Sequence, residues 1–293
     1  MVRHGRRPVQ VDLCYKAAIQ GDIENVKEEV RLLLHEPVTS QEEESHPEWL
    51  YESLVEAIRQ DHVDMVRYLL DEGVSEDELP GDVAVRAEAL KVLELFLERG
   101  WDINRPLGHN SPPVLGIPLS TNNEKMTVWL LDHGADPNRR CDWDLTPTSF
   151  AVLTAPLESI ERLFSRGADV KYGQLLHYAV LRGDHDALKV VQRITEWGAP
   201  VNQIKYEDDP TTYAQREPFG LGTPLHRAAE SGNSDVVVYL LSMGADALKL
   251  DSKQQTPRYW AEQRGHVGVA RILEAAELEP GIYMSTPSML PVS

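Results

Sequence analysis

Residues 223–232 read TPLHRAAESG, and Gly244-Ala245-Asp246 follows a short apolar run, VVVYLL. The same frame returns along the chain. TPRYWAEQRG (256–265) repeats it directly downstream, GQLLHYAVLRG (173–183) keeps His177, Ala179 and Gly183 in register, and TPTSFAVLTA (146–155) keeps Thr146, Pro147 and Ala151. Further upstream the letters fade but the register holds, with Asn122, Glu88, Asp61 and Gly21 on the position of Gly232. Taken together, positions 21, 61, 88, 122, 155, 183, 232 and 265 mark a period of roughly 35 residues, the length of a helical repeat unit. A unit this short cannot bury two helix faces alone. A chain made of such units has to stack them, and each unit gains its stability from its neighbours.

Local physics accounts for the recurring letters. Thr223 can cap a helix through its hydroxyl, and Pro224 at the first helical position loses no hydrogen bond and has its φ preset. Leu225, Ala228 and Ala229 make a thin apolar face, while Gly232 suits the left-handed turn that stops a helix. Val236, Val237, Leu240 and Leu241 then form the wider stripe of a second helix packed on both sides, and Gly244 stops it. Thr146, Pro147, Thr256 and Pro257 repeat the capping pair.

TPLHRAA at 223–229, GADPN at 134–138 and GAD at 167–169 and 244–246 resemble the ankyrin repeat family. The tetratricopeptide array has a similar period but lacks this punctuation. The resemblance covers roughly residues 12–276 and implies an all-α solenoid of about eight helix-turn-helix units with projecting hairpin loops, the first three units degenerate. It also implies that His177 and His226, at the fourth position of the pattern, tie neighbouring loops by hydrogen bonds rather than acting as acid–base groups. Residues 1–11 are expected as a basic flexible tail and 277–293 as a second tail. Polar insertions are expected at 35–49 and 203–221, the latter as a long loop, and the helix after Gly183 as longer or bulged.

Several function classes fall away on composition. The net charge is −18, with 47 acidic against 29 basic residues, which disfavours nucleic acid as a partner and suits a protein partner, in its more specific form a basic client. Two cysteines, Cys14 and Cys141, make no disulfide framework and fit a reducing compartment. The longest apolar run, 236–241, is too short for a membrane span, and the basic N-terminus has no apolar core of a secretory signal. A cytoplasmic setting is expected, with nuclear access left open by RHGRR at 3–7.

No phosphate loop, His-Glu-x-x-His or nucleophile elbow occurs, so neither catalysis nor a cofactor is expected. His133 and Cys141 lack further metal ligands at helpful spacing, and the runs Glu42–Glu44 and Glu207–Asp209 lack the alternating oxygens of a calcium loop.

Interfaces concentrate their energy in aromatic and arginine anchors. The loop candidates are Trp101, His109, Arg139, Arg140, Trp143, Tyr172, Tyr206, Tyr213 and Phe219, with Trp143 foremost at an expected hairpin tip. Leu153, Leu181 and Arg182 are candidates at the ends of first helices, whereas Trp129 and Trp260 fall on core positions. The expected function is a non-enzymatic protein-binding module, a monomer without its partner. The competing reading is a regulatory or adaptor subunit whose partner carries the catalysis.

Overall fold

The computed structural model describes residues 8–35, 46–75, 78–183 and 186–284. RHGRR, the Glu42–Glu44 run and the end of the expected C-terminal tail lie outside them. The chain divides into two compact units, Met1–Ile103 and Asn104–Ser293. Both are built from helix pairs, and no β-strand occurs among the described residues.

In the first unit, α1 (Val9–Gln20) pairs with α2 (Ile23–Leu34) and α3 (Tyr51–Arg59) with α4 (Val63–Asp71). The third pair is α5 (Gly81–Ala87) with α6 (Leu90–Glu98). First helices pack on first helices and second on second, α1 on α3 on α5 and α2 on α4 on α6. Thus all three pairs with the weakest letters are present. Helix α1 starts at Val9, inside the stretch expected as a tail, and buries Val11.

The second unit opens with α7 (Gly116–Ser120) and α8 (Glu124–Asp132), then α9 (Pro147–Thr154) and α10 (Leu157–Ser165). Next come α11 (Leu175–Ala179) and α12 (Ala187–Glu196), with α12 ten residues long against nine for α8, α10 and the second helix that follows. The insertion folds into its own short helix, α13 (Pro210–Arg216), continued by a 3₁₀ turn at Glu217–Phe219, so the 203–221 segment is not the plain loop expected. The array closes with α14 (Pro224–Ser231), α15 (Ser234–Ser242), α16 (Pro257–Gln263) and α17 (Val267–Leu278). Here too the first helices stack in order, α7 on α9 on α11 on α14 on α16. The stripe Val236, Val237, Leu240 and Leu241 on α15 is buried; each such side chain contributes roughly 1.5–3 kcal/mol on leaving water.

Helix stops follow the register rather than the letters. Gly21, Gly232 and Gly265 are left-handed, and so are Asp61, Glu88 and Asn122, each at φ 55°. Asp61 offsets the strain by accepting the N–H of Val92 at 3.0 Å. Ala155 breaks the series with φ −81° and ψ 157°. Pro156 follows it, and a proline forces its predecessor into extended backbone. Gly183 also lacks the positive φ expected of it.

Candidate interaction surface

Within Asn104–Ser293, two hydrogen-bond devices fix the loops that join successive units. The first uses the fourth residue of the TPLH pattern. His226 Nδ1 accepts the N–H of Thr223 at 3.0 Å, and its Nε2 donates to the carbonyl of Gln255 at 3.1 Å. His177 Nε2 donates to the carbonyl of Gly222 at 3.2 Å. Ser149 does the same work in TPTS, accepting from the Thr146 N–H at 3.0 Å and donating to the carbonyl of Gly173 at 2.6 Å. Each acceptor carbonyl immediately precedes the N-cap of the following unit's first helix. Both imidazoles are buried. Burial, reinforced by the nearby Lys205 ammonium, pushes His177 down to about 3, and burial also lowers His226. Each ring is therefore neutral near pH 7, its one proton on Nε2 where the carbonyl needs it.

The second device is an asparagine clamp. Asn138 donates its amide to the Gly167 carbonyl at 2.7 Å and accepts the Asp169 N–H at 2.8 Å. Asn104 closes the same ring on Gly134 and Asp136, and Asn202 on Gly244 and Asp246. The GAD letters therefore mark the receiving end of a clamp whose donor sits one unit upstream. The sequence held this signal, an asparagine following Gly134 in GADPN, but its partner could not be read from it.

The hairpin at 139–145 and the 203–221 segment meet. Arg216 lies over the Trp143 ring, 3.7 Å from guanidinium carbon to centroid. Thr212 donates its hydroxyl to the Asp142 carbonyl at 3.1 Å, and Arg140 sits 3.6 Å from Asp209. Gln174 bridges the two, donating to Asp144 at 2.7 Å and accepting the Tyr206 N–H at 3.0 Å. The Lys205 ammonium stands 4.3 Å from the Tyr178 ring and 5.0 Å from the Tyr206 ring; burial, with Arg227 and Arg216 nearby, lowers it to about 8. Burial raises Asp144, Tyr178 and Tyr206 above their ordinary ranges.

This arrangement redistributes the predicted anchors. Phe219 is the most exposed of the apolar ones, 72% accessible, on a turn tied down by Ser252, whose hydroxyl donates to the Glu217 carbonyl and accepts the Leu221 N–H. Tyr172, Leu181, Arg139 and His109 are also exposed, His109 bonded to Asp142 at 2.6 Å. Trp143 is half-buried beneath Arg216 rather than free at a tip, and Arg140, though exposed, is engaged with Asp209 and Asp144. Tyr213 and Leu153 are half-buried, with Glu217, Glu207 and Asp251 raising the tyrosine after burial does.

Three candidates turn inward. Tyr206 is only 7% exposed, because its backbone is bonded to Gln174 and its hydroxyl pairs with Tyr178. Arg182, 6% exposed, donates to the carbonyls of Val152 at 2.9 Å and Ala155 at 3.0 Å, capping the end of α9 that Pro156 leaves without a glycine turn. In the first unit, Trp101 is half-buried and lies against Gly81 so closely that a β-carbon there would overlap the indole.

Two tryptophans expected in the core are half-buried instead: Trp129 stacks on His133 at 3.9 Å, and Trp260 donates to Asp251 at 2.8 Å. The capping prolines Pro147, Pro224 and Pro257 stand at helix starts behind Thr146, Thr223 and Thr256, while Gly232 and Gly244 are left-handed at helix ends. Among the described residues no group of three or more His, Cys, Asp or Glu converges to hold a metal. No described helix is long and apolar enough to cross a membrane.

Residues 176–282 match the family model of ankyrin repeats, in three copies. The potassium channel AKT1 of Arabidopsis thaliana is 29% identical over 210 residues, 71% of this chain and 23% of its own length. Alpha-latrocrustotoxin-Lt1a of Latrodectus tredecimguttatus is 30% identical over 67% of this chain and 14% of its own, and an ankyrin repeat protein of Fowlpox virus is 30% identical over 33% and 15%. The chain spans less than a quarter of the length of these relatives. Residues 176–282 thus carry ankyrin repeats, and the helix pairs with their stacking have the architecture of an ankyrin-repeat solenoid.

Proposed function

We propose that the chain is a non-enzymatic protein-interaction module whose contact surface is the loop side of Asn104–Ser293, centred on the 203–221 segment and the hairpins beside it. The observation that carries this reading is Phe219. A phenylalanine 72% exposed on a turn pinned by three hydrogen bonds is an apolar side chain held out to solvent at little ordering cost on binding. Tyr172 and Leu181 add exposed apolar surface on neighbouring units. The acidic balance favours a basic partner, and it would speed encounter more than it tightens the complex.

The test is affinity capture from cell extract with the wild type and with Phe219→Ala plus Tyr172→Ala, circular dichroism verifying the fold of each. A partner held by the wild type and lost by the folded variant supports the loop-side surface. A partner held equally by both places the contact elsewhere, and retention that does not change between low and physiological salt removes the basic client.

A further inference from the structure

The middle of the 203–221 segment is attached differently from its ends. At one end Tyr206 is buried and bonded to Gln174, and the Lys205 N–H donates to the Gly222 carbonyl at 3.1 Å. At the other, Leu221 is buried and exchanges bonds with Ser252. Between them α13 buries only Thr212. What holds α13 to the hairpin is chemistry of three kinds: a guanidinium on an indole, a hydroxyl on a carbonyl, and a carboxylate near a guanidinium. The three residues of the segment that make these contacts are Asp209, Thr212 and Arg216. Asp209 caps the start of α13, accepting the Thr212 N–H at 3.2 Å, and Thr212 and Arg216, at i and i+4, lie on one face of the helix.

We propose that Trp143, Arg140 and the Asp142 carbonyl form a recognition platform for an arginine-bearing helical segment of a protein partner, and that α13 is the platform's resident occupant in cis. The proposal rests on the interaction-module reading and names the partner's chemistry. The segment must present a carboxylate at its helix start, then a hydroxyl and an arginine on one helical face, in the order of Asp209, Thr212 and Arg216. Lysine does not substitute, since the contact with Trp143 uses the flat guanidinium rather than a point charge. α13 is a fitting placeholder. A seven-residue helix has little stability of its own, so it keeps its form only while docked. Tethered at both ends, it competes at an effective concentration on the order of millimolar, so a free segment gains access when α13 is weakened or when its own contacts are better.

The experiment uses the full chain and a fluorescein-labelled peptide of residues 207–219, EDDPTTYAQREPF, read by anisotropy up to millimolar protein. The chains are wild type, Arg216→Gln, Arg216→Lys, and Arg216→Gln with Trp143→Leu, each checked for fold by circular dichroism. Arg216→Gln and Arg216→Lys should each bind the peptide at least tenfold more tightly than wild type. Adding Trp143→Leu should abolish that gain, and a peptide with its arginine replaced by glutamine should show none. If neither opened chain gains affinity, or if both take the arginine-free peptide equally well, the platform is refuted. A partner still captured by the wild type in that event leaves the interaction module standing on another surface.

Discussion

Acidifying the solution from pH 7.5 to 5 should destabilise the second unit, by about 2 kcal/mol through His177 alone. The ring's ordinary value is 6.5, and burial holds it near 3 in the folded chain. Below 6.5 the unfolded chain takes up a proton that the folded chain refuses, so stability is intact above 6.5 and falls progressively until about pH 3. At pH 5 the solution is about 1.5 units into that window, and about 1.4 kcal/mol per unit gives about 2 kcal/mol. His226, also lowered by burial, acts in the same direction. Asp144 acts in the opposite one, because its carboxyl is raised and its folded form welcomes a proton in acid. The charges facing His177 are those of Lys205 and Arg227, and both penalise protonation.

A simple pH titration would mix these effects, so the measurement is a difference between wild type and His177→Gln. Glutamine can place an N–H donor near the position of Nε2, keeping a bond to the Gly222 carbonyl without titrating. At pH 7.5 the variant should lie within about 1 kcal/mol of wild type. Between pH 7.5 and 5 it should lose about 2 kcal/mol less than wild type does. Urea unfolding followed by both far-UV dichroism and tryptophan fluorescence reads this, two probes being needed because stacked units can unfold in stages. If the variant loses as much stability as wild type across that interval, His177 is not the excluded site of protonation, and its buried bond to Gly222 is wrong.

Gly173→Ala should destabilise by about 3 kcal/mol: φ there is 77°, and a β-carbon would strike the hydroxyls of Ser149 and Thr146 that form the loop device, a loss that thermal unfolding will show. Arg182→Met should cost about 2 kcal/mol by leaving the carbonyls of Val152 and Ala155 without a donor, whereas Leu181→Ser beside it should change the melting temperature little.

Local chemistry is what made the helix pairs legible. A threonine that caps, a proline that starts and a glycine that stops act within one turn of helix, so TPLHRAAESG announces its structure without reference to the rest of the chain. Even Asp61, Glu88 and Asn122 could be placed, because the stop is required by register and the left-handed turn tolerates these residues at modest cost. The same reasoning failed where the requirement came from a distance. Arg182 occupies a position that faces solvent in an ideal repeat. It turns inward because α9, in the preceding unit, ends at Thr154, just before Pro156, with carbonyls to satisfy. Tyr206 sits in an insertion that the period does not describe, and its burial depends on Gln174 and Tyr178.

The insertion shows why a repeat period predicts scaffold better than surface. A period fixes contacts between one unit and the next, which is the range over which the histidine and asparagine devices work. Thr212 reaches across 70 residues to Asp142, past two intervening helix pairs, and no periodic argument prescribes such a contact. The order of Asp209, Thr212 and Arg216 was present in the letters, but it became informative only once Arg140, Asp142 and Trp143 were found opposite them. Aromatic residues on a repeat's loops therefore divide into those held out to solvent, as Phe219 is, and those already engaged, as Trp143 is. The second kind carries a record of the chemistry that fits it.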